Sequence, residues 1–504
     1  MKLVIRSTKE ISGEATPPSS KSEMIRGLIL ATLAKGTSAL KNPLHSQDTV
    51  DAIRACRGLG ANIMVRTDRV IVESRGVPLQ SETTVNTGNS GVTTHFLLPV
   101  LGLRGEKARP VTLDCGDQMK ARPVESLVSA LQRLGMKLHV QPQRGKKNIS
   151  ARPAHGKGQA IRPSFPLQIS SELFGGKAGV SGVSSQYLSA LLMSLPCAKN
   201  DSVITVDNLE ERPYVEMTEA WLNEQGIVYE HKKEDLRFQI KDLSKTTTTS
   251  APPRLTDAVH FSHSEDRTLK VLRSSKSSLL TPSKEVEKKS QATRDVYTIK
   301  GGQAYKPFIK MIPGDFSSAS YLITAGVLFS GTVVLHGLDM QCPQGDKELV
   351  TILQKMGADI RIEGDTLTIT GGKELTGMTI DANAIPDIVP TLAVIGTQAT
   401  GTTEIVNVAN ARLKETDRLR SMTEGLSEMG GDITEHTDGL TVRKSVLHGA
   451  SVKGYNDHRT VMALSLAGML ADGETLIDTA EAINKTFPNY VEMMRSLGAK
   501  MRQK

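Results

Sequence analysis

One arrangement recurs six times along the chain and restricts its fold more than any other feature. It is an amphipathic stretch of 10 to 12 residues, a hydrophobe–glycine pair and a short alternating apolar run. The copies are DAIRACRGLGANIMV, SLVSALQRLGMKLHV, MTEAWLNEQGIVYE, ELVTILQKMGADIRI, MTEGLSEMGGDITEH and YVEMMRSLGAKMR. In each, the glycine falls where a helix would end in a left-handed residue before a strand. The marking glycines are Gly60, Gly135, Gly226, Gly357, Gly430 and Gly498, at intervals of 75, 91, 131, 73 and 68 residues. A chain of 504 residues is too long for one compact core, and six similar α+β units fit two domains of three units each.

The interval of 131 is out of line. Removing the 53 residues from Leu243 to Asp295 brings it to 78, so this segment reads as an insertion. It contains TTTTSAPP, SSKSSLL and KEVEKKS and has too little apolar area to offset its ordering entropy, which predicts a disordered surface loop. It also carries ten Lys+Arg against six Asp+Glu, half of the chain's net charge of +8. The remainder is only mildly basic.

No apolar run approaches the roughly 20 residues that span a bilayer, and MKLVIRSTKE turns polar too early for a signal peptide. These features predict a first strand and a cytoplasmic protein without a membrane partner. Cys56, Cys115, Cys197 and Cys342 make no CxxC pair, which predicts neither a zinc site nor a disulfide framework.

Several motifs place charge where chemistry could use it. Lys21, Ser22 and Arg26 open a helical pattern with Ser19 or Ser20 as cap; this is an anion site or a solvated basic helix start. NTGNSGVTTHFLL brings small Gly91 to a helix start, where a ligand could approach backbone amides. Arg122 precedes a prolyl helix start, and Ser184, Ser185 and Gln186 offer neutral donors. Asp387 follows a proline in an apolar stretch, as a desolvated base or as a helix cap. Lys414 and Arg418 have i,i+4 spacing with Glu415 beside them, which suits a site or a salt-bridged surface helix. His458, Arg459 and Lys485 adjoin apolar helix positions where unpaired charge would be costly.

The ordered set KSEMIRG, GNSG, ARPVESL, VSSQYLSALLM, RPYVEMT, GDFSSASYL, IPD, LKETDRL, YNDHR and KTFPNY resembles the 5-enolpyruvylshikimate-3-phosphate synthases, from about Lys21 to Pro488. The resemblance implies a two-domain inside-out α/β barrel with six βαβαββ units around pseudo-threefold axes. It implies one domain from residues 1–20 plus 313–504 and another from 21–312, with the chain crossing between them near residue 20 and near Gly314. It implies transfer of the enolpyruvyl group of phosphoenolpyruvate to the 5-hydroxyl of shikimate 3-phosphate, in aromatic amino acid biosynthesis, with no redox cofactor, by a monomer.

Carried over by residue, phosphoenolpyruvate is expected at Lys21, Gly91, Arg122, Gln186, Arg418, Arg459 and Lys485. Shikimate 3-phosphate is expected at Lys21, Ser22, Arg26, Ser184, Ser185, Gln186, Tyr214, Asp387, Asn410 and Lys414. Asp387 would take the hydroxyl proton, Glu415 would serve the methyl-group transfers, Lys21 would stabilise the leaving phosphate, and His458 would orient groups beside Glu415. Three departures stand out. Val92 replaces a common threonine and His95 a common arginine, which bears on phosphoenolpyruvate and on the inhibitor glyphosate. Glu211 stands where a serine often meets the shikimate phosphate, and must turn away or be paired, with Arg212 as one partner.

Other readings are an enolpyruvyl transferase for a nucleotide sugar, an inactive homologue and a basic nucleic-acid-binding module. KETDR and the SSQ loop speak against the first. The last needs stacking platforms that an aromatic content of 4% does not supply, so no nucleic-acid partner is expected.

Overall fold

The computed structural model describes residues 1–105, 108–140, 164–235 and 293–504. These residues form six four-stranded sheets, all of one pattern. In one, Thr84–Asn86 runs parallel to Val111–Asp114, which pairs antiparallel with Leu167–Ile169, itself antiparallel to Leu138–Val140. The helices Gly91–Val100 and Glu125–Arg133 lie between these strands in the chain, making a βαβαββ unit. The sixfold repeat read from sequence is therefore the fold's building block.

All six marking glycines have positive φ, from +68° at Gly226 to +113° at Gly498. Each ends the unit's second helix and releases the chain into that sheet's edge strand, as Gly357 does between Glu348–Met356 and Asp359–Glu363. Glycine suits this left-handed position because a Cβ would crowd the following carbonyl.

The first helix of each unit is apolar on all sides, which marks an interior helix. Lys21–Leu33 buries every residue except Ser22, and His458–Leu470 every residue except Leu470. In one half Lys21–Leu33, Gly91–Val100 and Ser185–Ser194 pack together; in the other, Phe316–Leu328, Val389–Gly396 and His458–Leu470 do. Burying side chains such as Leu28, Ile29 and Leu30 completely stabilises by about 1.5–3 kcal/mol each. The sheets lie outside these helices, so the barrel is inside out.

Two separate apolar cores result, one from Met24 to Ile312 and the other from Leu3 to Ile11 with Phe316 to Met501. The chain passes between them twice, and the two passages run side by side. Ser20 N donates to Pro313 O at 2.8 Å and Asp315 N to Pro18 O at 2.9 Å. Each crossing exchanges strands: Leu3–Arg6 completes the sheet of Glu474–Ile477, Gly13–Ala15 that of Thr332–Leu335, and Ile309–Met311 that of Lys35–Lys41.

The expected insertion needs correction at its C-terminal edge. Thr293, Arg294 and Asp295 belong to the strand Thr293–Ile299, and Asp295 is buried opposite Arg212 at 2.7 Å. The preceding part, 243–292, lies outside the described residues. Among the described residues no helix is long and apolar enough to cross a membrane.

The glycine stops predict a ranked effect on stability. Gly226→Ala, with open space around the added Cβ, should cost about 1–2 kcal/mol through its φ of +68° alone. Gly60→Ala would also press a Cβ to 2.7 Å from Gln80 O and should cost more. Urea unfolding of both variants checks this, and equal losses would refute the ranking.

Candidate active site

Interior helices begin at the cleft between the halves, and they carry the chemistry there. A cavity is lined by Lys21, Ser22, Arg26, Val92, Phe96, Arg122, Ser185, Gln186, Glu211 and Tyr214 from one half. Asp387, Lys414, Glu415, Arg418 and His458 line it from the other. Lys21, Val92, Ser185 and His458 each lie in the first two residues of a helix. Free amide N–H groups and helix dipoles therefore add to the cations in favouring an anion here. Ser20, of the two expected caps, accepts from Glu23 N.

The cations are held by the chain's own carboxylates. Arg418 donates to Asp387 Oδ1 at 2.6 Å, Glu415 Oε2 at 2.7 Å and Asp457 Oδ2 at 3.0 Å, with Arg122 3.9 Å from Glu415. Arg459 donates to Asp387 Oδ2 at 2.8 Å, while among the described residues its Nε and Nη1 have no partner within hydrogen-bond geometry. Lys21 pairs with Asp48 at 3.2 Å. Lys485, which is not among the residues lining the cavity, donates from Nζ to Gln118 Oε1 at 2.7 Å and to Asn456 O at 2.8 Å.

Burial by itself would raise the pKa values of Asp387 and Glu415, but the surrounding cations win. Arg459, Arg418 and Lys414 hold Asp387 well below the carboxylate range, and Arg418 and Arg122 do the same for Glu415. Burial, reinforced by Arg459 and Lys21, keeps His458 neutral, and neither of its ring nitrogens has a partner. The site thus holds two ionised carboxylates beside one neutral imidazole.

Gly91 is a close approach: a Cβ there would lie 2.1 Å from Arg122 Nη1. Ser184, Asn410, His95, Arg122, Glu211 and Lys414 share an adjoining smaller cavity, where both amide atoms of Asn410 are buried without partners. Arg26, by contrast, spends its donors on protein: Thr218 Oγ1 at 2.8 Å, Ser22 O at 3.0 Å and Tyr214 O at 2.7 Å. Burial lowers its pKa to about 10.

Three local expectations change. Lys414 and Arg418 do not share a helical face: Lys414 is extended after the turn Ala409–Leu413, and the helix begins at Arg418 with Asp417 as cap. Asp387 is not a capping aspartate, because its oxygens accept from Arg418, Arg459 and Tyr214. Glu211 is paired, but not with Arg212, which is committed to Asp295. Its Oε2 accepts from Ser185 N at 3.2 Å and Ser185 Oγ at 2.6 Å, and Oε1 accepts from Lys414 Nζ.

At the other departures, Val92 lines the main cavity and His95 Nδ1 lies 2.6 Å from Gln186 Oε1. Burial and Arg122 hold the His95 pKa at about 3, so Nδ1–H donates and fixes the Gln186 amide. Sequence reasoning missed Asp48, Gln118 and Asp346. Asp346 accepts from Tyr214 OH at 3.0 Å, and Tyr214 OH also lies 3.3 Å from Asp387 Oδ2. In sequence Asp346 looks like an ordinary acid ahead of an amphipathic helix; Gln118 carries no signal.

Glu210, beside Glu211, gives a pH test. Burial and the Glu211 charge raise its pKa to about 7 from 4.5. A raised carboxyl binds more protons folded than unfolded, so stability is lost as pH rises from about 4.5 to about 7. Glu210→Gln should therefore be more stable than the parent at pH 8 but not at pH 4.5. Thermal unfolding at both pH values checks this; an equal difference at both would refute it.

Comparison with known proteins agrees over nearly the full length. The sequence model of the family described as EPSP synthase (3-phosphoshikimate 1-carboxyvinyltransferase) matches residues 5–262 and 281–494, passing over only part of the expected insertion. The 3-phosphoshikimate 1-carboxyvinyltransferase of Acetivibrio thermocellus is 38% identical over 500 residues, covering 99% of each chain. That of Methanocaldococcus jannaschii is 33% identical over 507 residues, covering 100% of this chain and 99% of its own. Among solved structures, EPSP synthase from Acinetobacter baumannii superposes with a TM-score of 0.70 at 20% identity, over 99% of each chain. The enolpyruvyl transferase NikO from Streptomyces tendae does so at 0.68 and 16%, over 100% of this chain and 98% of that one. At those identities the structures establish the fold alone. The profile and the full-length relatives establish more: the chain belongs to the EPSP synthase (3-phosphoshikimate 1-carboxyvinyltransferase) family.

Proposed function

We propose that this chain transfers the enolpyruvyl group of phosphoenolpyruvate to the 5-hydroxyl of shikimate 3-phosphate, releasing phosphate. One observation carries the reading: a single cavity in which cations of both halves meet two ionised carboxylates and a neutral histidine. The two substrates bring two phosphates and two carboxylates into that space, and only fixed cations let them approach.

Phosphoenolpyruvate takes the Lys21, Arg122, Arg418, Arg459 and Lys485 side, with Gln186 and the close backbone at Gly91. The acceptor takes the Ser22, Ser184, Ser185, Tyr214, Asp387, Asn410 and Lys414 side. Arg26 supports that side from behind, through Ser22 O and Tyr214 O. Arginine forks suit carboxylate and phosphate, and lysine serves as a point charge.

The reaction is addition followed by elimination. A proton is added to C3 of phosphoenolpyruvate and the 5-oxygen bonds to C2 as its own proton leaves, giving a tetrahedral intermediate. The C2–O bond to phosphate then breaks as a C3 proton is removed, restoring the double bond. Asp387 receives the hydroxyl proton and Lys21 stabilises the departing phosphate; Glu415, which takes up a proton from solvent once phosphoenolpyruvate draws Arg418 and Arg122 toward itself, gives that proton to C3 and takes one back from C3 on elimination. His458, neutral beside Glu415, orients that carboxylate. Residues 1–20 with 313–504 form one domain and 21–312 the other. The protein works as a monomer in the cytoplasm, without a nucleic-acid partner.

Phosphate release by the purified protein tests this. Release should require both substrates and fall by about 10²–10⁴-fold in Glu415→Gln. No release from folded parent protein would overturn the proposal.

A further inference from the structure

Three donors make a seat at the start of the helix Ser185–Ser194: the Ser185 amide, the Ser185 hydroxyl and Lys414 Nζ from the opposite half. All three are taken by Glu211. A helix-start N–H, a hydroxyl and a lysine are what a phosphate monoester needs, and Ser185 and Lys414 are the residues the proposed reaction gives to the acceptor. A carboxylate and a phosphate dianion cannot both hold this seat as anions, because like charges at hydrogen-bond distance in a buried site repel strongly.

Among the described residues an evicted Glu211 would lose its present partners without a free neighbouring cation to replace them. The residue is 1% exposed and its backbone is fixed at a φ of +53° ahead of the helix Arg212–Glu224. Arg212 is held by Asp295, and Glu210 already has a buried Oε2 with no partner. The groups facing Glu211 are Lys414 across the cleft, Tyr187 on the Ser185 helix and Tyr214 on its own helix, with Arg122 and His95 lining the adjoining cavity. Of these only Arg122 is a second cation, its pair with Glu415 is long at 3.9 Å, and the proposed reaction assigns it to phosphoenolpyruvate.

Resting on the function proposed above, we propose that binding of the acceptor's phosphate is coupled to uptake of a proton from solvent by the Glu210–Glu211 carboxylate pair. Glu211 then stays in the seat as a carboxylic acid and donates its O–H to a phosphate oxygen, with Lys414 shared between them. The proton returns to solvent when the product leaves. The pair is set for this, because burial and the Glu211 charge bring Glu210 to about 7 even without a ligand. One proton need only be drawn by the arriving dianion.

Calorimetric titration of shikimate 3-phosphate at pH 8, in two buffers of different ionisation enthalpy, reads the coupling directly. At that pH the ligand's own phosphate, with a pKa of about 6, contributes little. The parent protein should take up roughly one proton per ligand bound, and its Kd should rise up to about tenfold per pH unit above pH 8. In Glu211→Ser and Glu211→Gln the uptake should vanish and the Kd should be flat between pH 8 and 9. Binding by the parent without proton uptake, or equal uptake in parent and variants, overturns the coupling and leaves the enzymatic reading intact. Absence of binding by the parent overturns the acceptor assignment itself. The parent measurement decides the matter even if neither variant folds.

Discussion

The constraint on which this structure depends is the density of positive charge in one cleft. Lys21, Arg122, Lys414, Arg418 and Arg459 converge where helix N-termini add partial positive charge of their own. In a site with little water, unpaired cations a few ångströms apart would repel by several kcal/mol. The chain interleaves Asp48, Asp387, Glu415, Asp457 and Glu211 among them. Such pairs are poor stabilisers, since desolvating both partners offsets much of their attraction. Their value lies in donors held in place: in the proposed reaction an incoming anion takes over donors from Asp387 and Glu415, whereas Glu211 keeps its seat and shares it.

The same contacts join the two halves. Lys414 with Glu211, Arg122 with Glu415, Lys485 with Gln118, and Tyr214 with Asp346 and Asp387 all cross the cleft. Away from the cleft, the connection is two adjacent chain passages tied by Ser20, Pro313, Pro18 and Asp315. Contacts outside the site also join the halves, Gly345 lying against Pro213 and the helix Gln47–Gly58 against the turn Ala480–Lys485.

The fold was legible because its signals are local. A glycine after an amphipathic helix states its own reason, and the six of them gave both the repeat and the unit count. The interior helices carry all-round apolar runs such as LILATL and FLLPV, a signal the repeat count did not use. The site was legible as residue types, through resemblance to a family, but not as pairings. Lys414 and Arg418 looked like one helical face because i,i+4 spacing says nothing of a helix that starts at the later residue. Arg212 looked like the partner of Glu211 because it is adjacent, whereas the true partners are 26 and 203 positions away. Asp48, Gln118 and Asp346 stayed invisible because their importance is purely tertiary. The edge of the insertion was misplaced for a related reason: interval counting cannot see that Asp295 is buried against Arg212.

The pairing also bears on how a carboxylate so firmly ionised could serve as a base. With Arg418 and Arg459 on its two oxygens, Asp387 has little affinity for a proton. In the proposed reaction, those guanidinium groups are the ones the phosphate and carboxylate of phosphoenolpyruvate would draw away. Each cation withdrawn removes a charge that depresses the Asp387 pKa, while burial, which raises it, remains. Binding of one substrate would thus generate the base that activates the other, and a lone acceptor would meet a carboxylate too weak to deprotonate it. Tyr214 extends this logic: its hydroxyl reaches both Asp387 and Asp346, and burial with the Asp387 charge raises Asp346 to about 6. A proton accepted at Asp387 therefore lies one hydroxyl away from a carboxylate that holds it more firmly.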